Sequence, residues 1–223
     1  MIIKEIFPTL QGEGSKAGRP AVFIRLAGCN LWSGKEAGRS TGKGTCALWC
    51  DTDFVGGTKY NTQELWETVN NLMQGWAAPF VVITGGEPGL QLQKPENRET
   101  VTFLLERDVA VAVETNGTIS CVAFDLLMDF PNGHLTVSPK MLGNDIESLH
   151  HIVQRRGTDL KVVVPSEAAL HLSEMDTWDF EHKYIQPLDI GDTGSEALPS
   201  CMGVAQGLGW SVSVQTHKLI GLP

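Results

Sequence analysis

The chain has 223 residues, 42% of them hydrophobic and 19% charged, so it can bury a sizeable core and is expected to form one domain over residues 1–223. A formal net charge of −9 argues against a nucleic-acid surface, where many phosphates must be met by Lys and Arg, and favours a small-molecule substrate. The stretch Met1-Ile2-Ile3-Lys4-Glu5-Ile6 lacks the basic start and apolar core of a signal peptide, and no apolar run is long enough to span a bilayer. A cytoplasmic protein with no membrane partner is therefore expected.

Ile2 to Pro8 reads as a first short strand. Leu10-Gln11-Gly12-Glu13-Gly14 then puts two glycines among polar groups, either as a plain turn or as a ligand loop offering Gln11 and main-chain atoms. Ala21 to Gly28 is a buried strand by its β-branched and aromatic content. Arg25 lies inside it, and a charge there needs a partner: a structural salt bridge or an anionic substrate group.

Three of the five cysteines follow in one loop, Cys29, Cys46 and Cys50, spaced C-x16-C-x3-C. No other Cys or His lies between Gly28 and Pro79, so a closed four-coordinate zinc site is poorly served. A cubane iron–sulfur cluster held by three thiolates, with one iron left for another ligand, fits better. Gly34 to Gly44, rich in glycine and charge and without periodicity, is expected to be a flexible insertion. Cys121 and Cys201 read as packing residues, and His150 and His151 as exposed.

Asn61-Thr62-Gln63-Glu64 is a candidate capping box opening an amphipathic helix through about Gln74, with Leu65, Val69 and Leu72 on one face. Strand and helix then alternate. Pro79 to Thr84 ends at Gly85-Gly86-Glu87-Pro88; a helix from about Glu96 to Arg107 leads to Val109–Val113, which ends at Glu114-Thr115-Asn116-Gly117. The pattern recurs with Leu135–Val137 before Ser138-Pro139-Lys140 and with Leu160–Val164. It recurs again with Tyr184-Ile185 before Gln186-Pro187, and with Trp210–Val214 before Gln215-Thr216-His217-Lys218. Polar residues just after each strand imply an α/β fold with a mostly parallel sheet and a ligand site along its carboxyl edge. The βα units are too few for a complete eight-stranded barrel, so a partial, open (β/α) barrel is expected.

The cysteine loop with Cys50-Asp51-Thr52-Asp53-Phe54, the Thr84-Gly85-Gly86-Glu87-Pro88 run and the Glu114-Thr115-Asn116-Gly117 run resemble the radical S-adenosylmethionine (SAM) superfamily. Together with Leu10–Gly14, Gly18-Arg19-Pro20 and the closing Gln215–Lys218, they look more narrowly like the 7-carboxy-7-deazaguanine synthases, over nearly the whole chain. The superfamily commonly spaces its cysteines C-x3-C-x2-C, so the x3 gap between Cys46 and Cys50 is a departure; the extra residue falls between Cys46 and Trp49.

The resemblance implies a lyase that converts 6-carboxy-5,6,7,8-tetrahydropterin to 7-carboxy-7-deazaguanine with loss of ammonia, on the way to 7-deazapurines such as queuosine. It implies a [4Fe–4S] cluster on Cys29, Cys46 and Cys50. SAM would be met by Trp49, Cys50, Asp51, Gly85, Gly86, Glu87, Ser138, Pro139, Lys140 and Gln186, and Mg²⁺ by Thr52. The pterin would be framed by Leu10, Gln11, Gly12, Thr84, Glu114 and His217, with Arg25 on its carboxylate and the terminal carboxylate of Pro223 on its N–H groups. It further implies an electron-donor protein such as a flavodoxin or ferredoxin, and a homodimer. Another small radical SAM enzyme such as an activase would share the cluster loop and the Gly-Gly-Glu-Pro run but not the Gln11 loop, Thr52 or the His217 end. A non-enzymatic zinc or iron–sulfur module would need only the cysteines.

Overall fold

The computed structural model describes residues 1–43, 45–188 and 194–222. Among these, nine strands form one sheet in the order β3-β1-β2-β4-β5-β6-β7-β8-β9. The antiparallel margin is β1 (Ile2–Leu10), flanked by β3 (Thr58–Lys59) and by β2 (Pro20–Leu26). From β2 onward every pairing is parallel, through β4 (Phe80–Gly85), β5 (Ala110–Thr115), β6 (Gly133–Val137), β7 (Arg156–Val164), β8 (Asp179–Pro187) and β9 (Ser211–Val212). The edges β3 and β9 do not pair, so the sheet is a partial barrel left open, as the alternation of apolar strands implies.

Side-chain alternation decides what each face does. Val22, Ile24, Val81, Ile83, Val111, Val113, Leu135 and Val137 point outward into a core shared with α1 (Thr62–Leu72), α3 (Pro95–Leu105) and α4 (Val122–Asp129). Leu160, Val162 and Ile185 do the same in a second core, where Cys201 and Val204 of α6 (Gly194–Leu208) cover them. The opposite residues line the concave side. Low in it, Ala21, Phe80, Val82 and Ala112 pack together, with the Arg19 guanidinium 4.3 Å above the Phe80 ring. Higher up the lining turns polar, with Arg25, Thr84, Glu114 and Ser138 at the carboxyl ends.

Local signals account for the element ends. Asn61 caps α1 reciprocally: its side chain accepts from Glu64 N at 3.0 Å, and Glu64 accepts from Asn61 N at 2.9 Å. Gly85, at φ +130°, lets the end of β4 lie against β2, since a Cβ there would sit 2.3 Å from Leu26 O. The short helices α2 (Gly89–Leu92) and α5 (Leu172–Met175) and the closing α7 (Thr216–Leu219) complete the elements used below.

Gly34 to Gly44 differs from the flexible insertion expected. Glu36–Thr41 forms a 3-10 helix, and a Cβ on Gly42 would lie 2.5 Å from Cβ of Ala47, so the segment is folded back onto the cysteine turn. Gly44 itself lies outside the described residues. Mixed charge and glycine hid the reason, which is a single arginine whose partners lie on both sides of it.

Candidate active site

A cavity of about 610 Å³ opens at the carboxyl ends of the parallel strands. Cys29, at the exit of β2, and Cys46 and Cys50, in the turn that follows, all line it. Cys29 and Cys50 rest on a small cluster of Trp32, Ala47 and Phe54, in which the Trp32 and Phe54 rings meet edge to face at 5.6 Å. Burial pushes the Cys29 thiol above its ordinary pKa, against donors from Leu31 and Trp32 that favour the thiolate. Among the described residues, no group of three or more His, Cys, Asp or Glu converges on a single ion. Three thiols facing one roomy cavity suit a wider iron–sulfur cluster better than one metal.

The Gly85-Gly86-Glu87 run stitches this loop to β4. Gly86 N and Glu87 N donate to Leu26 O and Gly28 O at 3.3 and 2.9 Å, and a Cβ on Gly86 would lie 2.0 Å from Gly28 O. The close backbone approach that these glycines permit is thus to the strand leading into Cys29, and their backbones also line the cavity. Glu87 is fully buried and absent from the cavity wall; its carboxylate accepts from Gly89 N, Thr115 Oγ1 and Asn116 N at 2.8, 2.7 and 2.8 Å. Burial raises its pKa to about 6 despite those donors.

Of the other residues expected to meet SAM, Trp49, Asp51, Ser138, Lys140 and Gln186 line the cavity, whereas Pro139 does not. Lys140 donates to Ser138 Oγ at 2.8 Å, with its ammonium 5.0 Å from the Trp49 ring centroid. Burial lowers its pKa to about 8, most strongly opposed by Cys46. Thr52, the expected Mg²⁺ ligand, is also on the wall.

Of the residues expected around the pterin, Leu10, Gln11, Arg25, Thr84, Glu114 and His217 line the same cavity. Gln11 donates to Glu114 Oε1 at 3.0 Å and Thr84 to Glu114 Oε2 at 3.3 Å, so the carboxylate is held at both oxygens. Arg25 donates through Nε to Glu5 at 2.6 Å and sits 5.7 Å from the Phe7 ring centroid, so of its two sequence readings the salt bridge is present while the side chain also faces the cavity. Leu10 and His217 line the cavity. Gly12 does not; its carbonyl accepts from Thr216 N and Oγ1 at 3.0 and 3.1 Å, and a Cβ there would lie 1.9 Å from His217 Nδ1. That Nδ1 is buried without a hydrogen-bond partner. Pro223 lies outside the described residues.

Sequence reasoning missed the polar network beneath. Glu13 is buried and ion-paired with Lys161, and it also accepts from Gln186 and Gln215 at 3.1 and 2.6 Å. Burial alone would raise its carboxyl, but the Lys161 ammonium outweighs this and holds it at about 2; the same pairing keeps Lys161 above its ordinary value against burial. The available signal was Lys161 itself, a charge inside the apolar strand Leu160–Val164 as Arg25 is inside β2. Lys218, which donates to Asp51 at 3.1 Å, ties α7 to the residue after Cys50.

No family model matches the chain. Curated relatives do. It is 42% identical to the 7-carboxy-7-deazaguanine synthase of Caulobacter vibrioides and 40% identical to that of Burkholderia multivorans, each alignment covering 99% of this chain and 98% of the relative. Its structure resembles that of QueE from Escherichia coli with a TM-score of 0.63 at 25% identity, covering 96% of this chain and 93% of the other. With identity at this level over essentially full length, the chain belongs to the 7-carboxy-7-deazaguanine synthase family.

Proposed function

We propose that the chain is itself a 7-carboxy-7-deazaguanine synthase: a radical SAM lyase that takes 6-carboxy-5,6,7,8-tetrahydropterin to 7-carboxy-7-deazaguanine with release of ammonia. The observation that carries this reading is that Cys29, Cys46 and Cys50 line the same cavity as Arg25, Thr84, Glu114 and His217. The cysteines would hold a [4Fe–4S] cluster, and the backbone of Gly85 and Gly86 with Trp49, Asp51, Ser138, Lys140 and Gln186 would hold SAM. When bound, cluster and SAM supply the one-electron cleavage and hydrogen abstraction that no side chain can perform.

The chain's own residues bind and position. Lys140, desolvated and cationic, suits a carboxylate, and burial strengthens that attraction. Glu114, pinned at both oxygens by Gln11 and Thr84, is oriented to accept from ring N–H groups of the pterin. The Arg25 guanidinium, held through Nε by Glu5, faces the cavity where a substrate carboxylate would complete its pairing. Thr52 offers a hard hydroxyl oxygen for Mg²⁺ beside substrate oxygens. Gln11 and Glu13 from the loop after β1, and the Lys218–Asp51 pair from α7, add polar groups to the cavity lining. Homodimerisation and an electron-donor protein such as a flavodoxin or ferredoxin are part of the reading and rest on the family resemblance; a cytoplasmic location is part of it too and rests on the sequence of residues 1–6 and the lack of a bilayer-length apolar run. Among the described residues, no helix is long and apolar enough to cross a membrane.

The test is product analysis. Anaerobically reconstituted protein is incubated with SAM, a reductant and 6-carboxytetrahydropterin; 7-carboxy-7-deazaguanine by mass spectrometry is the expected result. SAM cleavage without that product points to another small radical SAM enzyme, and a colourless, zinc-loaded protein to a binding module.

A further inference from the structure

The segment between Cys29 and Cys46 contributes a side chain that reaches back to the cysteines. Arg39, on the 3-10 helix Glu36–Thr41, donates from Nη1 to Ala47 O at 2.7 Å and to Cys50 O at 3.1 Å. Its remaining edge is taken by Glu36, with Nε to Oε2 at 2.9 Å and Nη2 to Oε1 as a second, parallel bond. Its face lies 4.4 Å from the ring centroid of Trp32, the aromatic residue packed with Ala47 and Phe54 beneath Cys29 and Cys50. One guanidinium therefore grips the backbone just after Cys46, the backbone of Cys50 and the platform under Cys29.

We infer that Arg39 is a positioning residue for the three-thiol site: it fixes the Cys46–Cys50 turn so that its thiols face the cavity together with Cys29. The inference rests on the reading of that site as an iron–sulfur site. The turn between these cysteines carries one more residue than the superfamily's usual x2 spacing. Its own backbone holds it through the short 3-10 run Thr45–Leu48 and one bond from Trp49 N to Cys46 O at 3.2 Å, which leaves the position of Cys50 to be set from outside. Arg39 supplies the constraint from outside by capping two carbonyls that the turn leaves without a helical partner. Lysine cannot replace it, because a point ammonium cannot bond two carbonyls while presenting a planar fork to Glu36 and a flat face to Trp32. The guanidinium also adds a positive charge beside the thiolates, which favours a more reduced and hence more negative cluster.

These two effects separate experimentally. Wild-type protein and the variants R39K, R39Q and E36Q are reconstituted anaerobically. Iron release to a colorimetric chelator is timed, the midpoint potential is read by spectroelectrochemistry, and the melting temperature of the iron-free protein serves as a folding control. Iron release is expected to accelerate roughly 10-fold or more in both R39K and R39Q, the scale usual for the loss of a group that orients metal ligands. E36Q, which keeps Arg39 but loosens its fork, is expected to fall between them and wild type, and it carries the test if an Arg39 variant does not fold. The potential is expected to move to more negative values in R39Q and to return most of the way in R39K, which restores charge without the fork. Wild-type release rates in all three variants overturn the inference, as does a shifted potential with unchanged release, which would leave Arg39 only a charge. A wild-type protein that takes up no cluster overturns the iron–sulfur reading and this inference with it; a loaded wild type matched by its variants overturns the inference alone.

Discussion

Glu13 and Lys161, 148 positions apart, meet as a buried ion pair on the concave face of the sheet, and the same carboxylate receives Gln186 and Gln215. Removing one member strands the other charge without water. Lys161→Met is expected to cost about 3–5 kcal/mol, the usual penalty for breaking a buried pair, and the double variant with Glu13→Gln should recover part of it. Glu13's folded pKa lies below its ordinary 4.5, so its contribution is present above pH 4.5 and lost as pH falls toward 2. Urea denaturation between pH 3 and 7 checks both: a stability difference between wild type and the double variant that does not shrink on acidification contradicts the assignment.

Glu87 titrates with the opposite sign. Its folded pKa of about 6 exceeds the ordinary 4.5, so the folded protein binds more protons than the unfolded chain in that window and stability declines as pH rises through it. The decline attributable to Glu87 is about 2 kcal/mol from the size of the shift. Glu87→Gln, whatever its absolute stability, should lack that slope between pH 4.5 and 6; parallel profiles for the two proteins would count against a protonated Glu87.

All three thiols on the cavity wall are expected to be required. Cys29→Ala, Cys50→Ala and Cys46→Ala should each lose the cluster and SAM cleavage after anaerobic reconstitution. Cys46 discriminates, because the unusual gap lies beside it: a Cys46→Ala protein with full iron content and activity would remove it from the ligand set.

Thr52→Ala should lower turnover and weaken its dependence on added magnesium while leaving cluster content unchanged. Steady-state rates across a magnesium series decide this, and an unaltered response would rule out a Thr52-bound ion.

At Gly12 the added methyl of Gly12→Ala would overlap the His217 ring, with Cβ 1.9 Å from Nδ1 and 2.8 Å from the His217 backbone nitrogen. Relief requires α7 to move, which displaces His217 from the cavity wall. A rise in the pterin KM with cluster content intact is expected; an unchanged KM would mean that His217 does not contribute to binding.

Periodicity and the polar residue after each strand made the sheet, its open form and its ligand edge legible, and Asn61 with Glu64 marked the start of α1. Long-range pairings were not legible in the same way. Glu13 looked like part of a turn because its partners Lys161, Gln186 and Gln215 lie far along the chain, and pairing across a sheet leaves no local pattern. Glu87 sat in a recognisable run, yet its carboxylate ties the ends of β4 and β5 together while the neighbouring glycines line the cavity. Arg39 escaped because a charge among glycines resembles a solvated loop unless its acceptors are known.

The loop that follows β1 closes on itself through Gln11 N to Arg19 O and Gly18 N to Gln11 O, both at 2.8 Å, and is then fastened in stages to residues made much later. Gly14 N bonds to Ser213 Oγ, Gln215 to Glu13, and Thr216 to Gly12 O, across 199, 202 and 204 positions. During synthesis these last fastenings therefore wait while some two hundred residues are added, roughly 10–40 s at ordinary translation rates, although Gln11 can meet Glu114 and Glu13 can meet Lys161 sooner. A ribosome-bound chain stopped before Ser213 can pair its early strands but leaves one wall of the cavity undocked. The complete cavity wall is thus a late product of translation, formed only when the segment from Ser213 to Thr216 docks on the loop after β1.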